Sequence, residues 1–171
     1  MTTAFLRYRI KQLRKSRKPL PSKSYSDAQS VGIVFTVKGM ERHNAVKQFI
    51  SELKEDGKKV EVMTFLPEST ENHEFLFDYF TKKDISITGR VKSQELKDFM
   101  DKPFDFLICV DPDPNEYLLF LLAGSPAACR VGRYTENQQP YFELMTAAEE
   151  TPSAADFMRQ LINLIKNLKN Q

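Results

Sequence analysis

FDFLICVDPDPNEYLLFLLAGSPAACRVG, residues 104–132, holds two apolar runs separated by a capped apolar segment. The first run, Phe106-Leu107-Ile108-Cys109-Val110, ends in a carboxylate, Asp111. The second is Ala128-Cys129-Arg130-Val131, and a helix is predicted between them from Asn115 to Ala123. Short runs with no polar alternation are what a strand buried on both faces requires. The stretch therefore reads as the strand–helix–strand unit of a parallel sheet. Ligands of open α/β sheets gather beyond the carboxyl ends of such strands, which singles out Asp111 and Asp113.

The same grammar extends upstream. Val31 to Val37 is an apolar, β-branched run that reads as a central strand. A helix follows from about Glu41 to Asp56, with Val46, Phe49, Ile50 and Leu53 inward and Gly57 as its C-terminal cap. The next strand is Val60 to Leu66, closed by Pro67. Between residues 68 and 92 the pattern weakens: Glu71 to Phe80 is read as a helix burying Phe75, Leu76 and Phe80, and Ile85 to Ile87 as a short strand. Ser93 caps a helix to Met100 whose inward residues are Leu96, Phe99 and Met100.

Downstream, Tyr141 to Met145 is expected as an edge strand. Thr151 and Pro152 begin the last helix as N-cap and first helical residue, and Phe157, Leu161, Leu164, Ile165 and Leu168 form its apolar face. Lys166 and Lys169 suit its C-terminal dipole. The sum is a three-layer α/β domain with a doubly wound, mostly parallel sheet of about five strands. The first strand is expected at its centre, in the order 3-2-1-4-5 of Rossmann-like and flavodoxin-like sheets.

The 171 residues, 41% hydrophobic and 28% charged, suit one such domain with a real core. No apolar run approaches the roughly 20 residues of a membrane-spanning helix. The basic start lacks the apolar stretch of a secretory signal. Cys109 and Cys129 both fall in predicted strands, with no CxxC spacing, and read as reduced structural thiols of a cytoplasmic protein.

The net charge of +2 hides an asymmetry. Residues 1–23 contain Arg7, Arg9, Lys11, Arg14, Lys15, Arg17, Lys18 and Lys23 and no acid, which leaves the remainder at −6. Segment 1–23 is accordingly set apart as a basic amphipathic helix and linker, ended by Pro19 and Pro21, ahead of a single Rossmann-like domain over 24–171. Arg7, Lys11, Arg14 and Lys18 form a basic stripe at helical spacing, and Phe5, Leu6, Ile10 and Leu13 an apolar one. The arm is expected to face a polyanion. An anionic membrane surface is favoured, because phosphate contacts to nucleic acid need only the charge and leave the apolar stripe unexplained. A protein partner, docking on the acidic body, and the arginine-rich pattern of a mitochondrial presequence are further readings.

Chemistry-bearing motifs are few. Asp111-Pro112-Asp113 after an apolar strand has the form that holds a hard divalent cation on diphosphate oxygens. The same residues also read as a helix start, with Asp113 as cap, Pro114 in first position and Glu116 completing a capping box, and this reading is preferred. The turn after the first strand, Lys38-Gly39-Met40-Glu41-Arg42, has one glycine and neither dinucleotide nor triphosphate spacing. Lys38, Gly39 and Arg42 at a helix start are nonetheless candidate anion contacts. His43 and His73 lack ligand or triad spacing and are read as surface residues.

Phe104, Asp105, Leu107, Ile108, Asp111, Leu121, Ala123, Gly124, Arg130 and Gly132 carry a resemblance to the fourth-strand region of heptosyltransferase-type glycosyltransferases. The preceding strands and helix fit the same order over about residues 31–133. That resemblance implies one Rossmann-like half of a two-halved enzyme, with its glycine-rich loop reduced to Gly39. The basic start, the Val31-Gly32-Ile33-Val34-Phe35 strand and the 104–132 block more closely resemble short bacterial proteins assigned to a domain of unknown function. Two functions follow as expectations. The first is a non-catalytic ligand- or partner-binding protein with no cofactor, cytoplasmic and peripheral at the membrane. The alternative is a glycosyltransferase-like, metal-dependent enzyme acting on a nucleotide-sugar or phosphorylated ligand, with Asp111 and Asp113 on a divalent cation and Lys38 or Arg42 on phosphate.

Overall fold

The computed structural model describes residues 3–68, 77–147 and 153–168. In chain order its elements are α1 (Thr3–Ser16), β1 (Ser30–Thr36), α2 (Gly39–Glu55), β2 (Lys59–Phe65), β3 (Asp78–Phe80), α3 (Gln94–Asp101), β4 (Phe106–Cys109), α4 (Glu116–Gly124), β5 (Cys129–Arg133), β6 (Leu144–Thr146) and α5 (Ala154–Lys166). The strands form one six-stranded sheet in the order β3-β2-β1-β4-β5-β6, and every neighbouring pair is parallel. This is the expected Rossmann-like α/β arrangement with β1 at the centre, one strand larger than expected.

The period of two along each strand divides the core. Ile33, Phe35, Phe106, Ile108 and Val131 face α2 and α5, while Val34, Met63, Phe65, Leu107 and Cys109 face α3 and α4. Registers bring equivalent residues abreast: Ile33 lies between Val62 and Ile108, and Val34 between Met63 and Cys109. Both cysteines are buried, and Cys129 has its thiol pushed up to about 12, first by burial and then by Glu143.

Helix α4 explains the role of α1. Its sequence, EYLLFLLAG, has no polar side after Tyr117, and Leu118, Phe120, Leu121, Leu122 and Ala123 are all buried. A helix apolar all round needs cover on more than one side. The sheet covers one side and α1 another, with Leu6 and Ile10 buried in the same cluster and Leu13 packed against it. Arg17, just beyond α1, fastens that end. It donates to the carbonyls of Ser125 (3.0 Å) and Ala127 and to Glu143 (2.9 Å), while Arg130 of β5 grips the same Glu143 at 2.7 Å. Three members of the apolar stripe expected to face lipid, Leu6, Ile10 and Leu13, therefore face protein, whereas Phe5 stays exposed, and Lys18 lies past the helix end.

Several local expectations need correction. Asp78–Phe80 is a strand paired with the end of β2, where the sequence reading extends a helix to Phe80; only Phe80 of the three is buried, so no period was there to read. Phe75 and Leu76, and the proposed Thr151–Pro152 start of the last helix, lie outside the described residues. Ser153 caps α5, accepting from the Asp156 amide at 3.2 Å. Ile85 to Ile87 forms no strand, its one bridge being Ile85 to Val91, antiparallel. Tyr141 sits in a short 3-10 turn, and the edge strand starts at Leu144. His43 is buried beside Phe77, ring centroids 5.2 Å apart, because it continues the inward face of Val46 and Ile50 one turn earlier. His73 lies outside the described residues.

Candidate functional site

The topological switch point lies between the carboxyl ends of β1 and β4, the position of Thr36 and Asp111. Asp111 is buried. Its carboxylate accepts the backbone N–H of Thr36 at 3.0 Å and pairs with the Arg42 guanidinium from the first turns of α2. Burial pushes the Asp111 carboxyl above its ordinary value, while Arg42 and the Thr36 amide pull it back. Arg42 thus spans the crevice rather than lining an open one. A second bridge runs beside it, Asn115 Nδ2 donating to Thr36 Oγ1 at 2.9 Å.

Asn115 is also the cap of α4. Its side-chain oxygen accepts from the Tyr117 and Leu118 amides at 3.0 and 3.1 Å. The expected capping box beginning at Asp113 therefore does not form: the cap lies two residues later, at Asn115, Glu116 becomes the first helical residue, and the N3 position falls on Leu118, which has no acceptor to return. Asp113 is exposed and accepts from Gln138 Nε2 at 3.0 Å. The two carboxylates of the D-x-D sequence face different protein partners. Gln138 has no sequence signal, since it comes from the loop between β5 and β6.

Lys38 is exposed and precedes α2 without a side-chain cap. Gly39 has φ of +73° with open space where a Cβ would lie, so the left-handed turn from β1 into α2 accounts for the glycine. The structure thus brings Arg42 and Asp111 into one contact and leaves Lys38 and Asp113 outside it. A further carboxylate role was missed at the opposite end of β4. Asp105 accepts from the Gln29 and Ser30 amides at 2.8 and 3.1 Å and pairs with Lys23 at 2.8 Å. Burial opposes its ionisation, but Lys23 and those amides outweigh it and hold the carboxyl below its ordinary value.

The other candidate surface is the outside of α1. Arg7, Lys11, Arg14 and Lys15 are all exposed. They line a cleft of about 530 Å³ closed on its far side by Pro140 and Tyr141, with the Arg14 guanidinium 5.1 Å from the Tyr141 ring centroid. No helix among the described residues is long and apolar enough to cross a membrane.

The model of a family of unknown function, DUF6913, matches residues 3–168, from the first described turn of α1 to beyond the end of α5. The chain belongs to that family. Comparisons of this DUF6913 chain with curated proteins and with solved structures gave no match. The heptosyltransferase resemblance gains no support from them; what the DUF6913 fold shares with that expectation is the parallel α/β sheet.

Proposed function

We propose that this DUF6913 domain is a non-catalytic binding protein whose partner is a polyanion held on the outer surface of α1. The observation that carries the reading is the division of α1. Leu6 and Ile10 are spent on the core, whereas Arg7, Lys11, Arg14 and Lys15 all stand in water, in a segment with no acid to neutralise them. Each exposed cation that meets a phosphate or sulfate releases a condensed counterion, so several together give affinity without catalytic machinery. With its aliphatic stripe buried, α1 offers a bilayer no continuous apolar face, which weakens the membrane reading.

The switch point supports the same conclusion from the other side. Asp111 engages Arg42 and the Thr36 amide, and Asp113 engages Gln138. A hard cation needs six or more oxygen ligands with lone pairs to give, and the metal-dependent transferase reading must free these two carboxylates first. A thermal-shift comparison separates the two functions. Stabilisation by heparin oligosaccharide, and none by nucleotide sugars with or without manganese, supports the binding protein. A manganese-dependent shift with a nucleotide sugar, lost in Asp111→Asn, overturns it.

A further inference from the structure

A second and larger cleft, about 860 Å³, runs along the other side of α1, between it, the 88–93 loop and α3. Phe5 and Tyr8 stand on its α1 wall, 63% and 62% exposed. Single exposed apolar residues need no explanation. Two aromatic rings three residues apart on one helix face, beside a cleft, are a different matter. Arg9, Arg90, Lys92 and Lys97 line the same cleft, against one acid, Asp101.

Arg9 is held in place. Its stem crosses Gly89, where a Cβ would lie 2.5 Å from Arg9 Cγ, and its guanidinium donates to Gln12 Oε1 at 3.2 Å. Gly89 has φ of +74°, so both the close approach and the backbone require glycine.

We infer that this cleft binds single-stranded nucleic acid, with bases stacked on Phe5 and Tyr8 and phosphates on Arg9, Arg90, Lys92 and Lys97. The inference rests on the polyanion reading and names its chemical class. Cationic grooves with exposed ring faces are what strand binding without sequence preference needs, because every base has a π-face. The backbone rise from Phe5 to Tyr8 is about 4.5 Å along the helix, against about 3.4 Å between stacked bases, which suits side chains that address neighbouring bases of a slightly stretched strand. A duplex hides those faces. An acidic peptide uses the cations and leaves the rings unexplained. Across the crest of α1 the strand reaches Arg7, Lys11 and Arg14, which gives both clefts one occupant.

Fluorescence anisotropy of the full chain with a labelled oligouridylate, the matching duplex and labelled heparin tests this, with phosphatidylserine vesicles as a fourth probe. The oligouridylate binds more tightly than the duplex. Phe5→Ala with Tyr8→Ala weakens it about tenfold or more, as loss of stacking requires, while heparin binding and the melting temperature hold. Phe5→Trp with Tyr8→Trp retains the oligouridylate. Undiminished oligouridylate binding by the alanine variant, equal affinity for the duplex, or vesicle capture through the two rings without oligouridylate binding overturns the inference. Heparin binding with none to oligouridylate ends this inference and leaves the polyanion reading standing. Binding to neither ends both.

Discussion

Asp111 is where a ligand role and an architectural role predict opposite results. In the structure its side chain is 2% exposed and Arg42's is 17% exposed, so the pair is largely withdrawn from water. Removing one partner of a buried pair costs about 3–5 kcal/mol. The Thr36 amide that it accepts adds about 1–3 kcal/mol when left unsatisfied. Arg42 can swing its charge toward solvent, which places the total for Asp111→Ala near the low end, about 3 kcal/mol. For a chain of this size that corresponds to a fall in melting temperature of roughly 6–12 °C. Asp111→Asn keeps an acceptor for Thr36 and should lose about 1–2 kcal/mol. Arg42→Leu combined with Asp111→Ala should recover part of the single-variant loss, because no charge is then left behind. Thermal and urea denaturation of the four proteins measure these values. Wild-type stability in Asp111→Ala, together with a manganese-dependent stabilisation that only the wild type shows, would refute the architectural role.

Three further outcomes follow from the same geometry. Leu6→Ala and Ile10→Ala should each destabilise by about 2–5 kcal/mol, the range for truncated core aliphatics; a chain beginning at Ser24 that melts like the full one and stays monodisperse would show α1 to be dispensable. Asp105, held below its ordinary pKa of 3.8, contributes stability that is present above that value and lost as pH falls through the lower folded value. The urea-denaturation deficit of Asp105→Asn should therefore be full at pH 7 and shrink below about pH 4, whereas a deficit that does not vary with pH would contradict the Lys23 pairing. Gly39→Ala should lose about 1–2 kcal/mol through its backbone conformation alone, and a neutral result would place that turn elsewhere in φ.

The sheet was legible because buried parallel strands write themselves as apolar runs, unbroken over Val31–Phe35 of β1 and through β4, while β2 (KVEVMTF) and β5 (CRVGR) keep short apolar cores interrupted by charged side chains. The short strand β3 was not, since three residues with one buried side chain carry no period. The cap of α4 was misplaced by two residues because Asp113 and Asn115 are chemically equivalent caps, and only the bonds to Tyr117 and Leu118 distinguish them. The fate of α1 was signalled away from α1 itself. LLFLLAG at 118–124 leaves α4 no polar face, so something had to cover it. Arg42 illustrates the limit for the candidate site: its position beside the switch point was readable, but its commitment to Asp111 depends on how β1 and β4 are spaced.

The central claim, that exposed cations of α1 hold a polyanion, is tested most directly by the salt dependence of heparin binding. The full chain is compared with a variant carrying Arg7→Gln, Lys11→Gln, Arg14→Gln and Lys15→Gln, whose side chains are exposed and whose fold should be unaltered. The wild type should bind with an affinity that falls steeply with salt, and the variant should lose a slope of roughly 0.7 for each contact removed, about 3 in all. Equal affinity and equal slope for the two proteins, at equal melting temperature, would contradict the account.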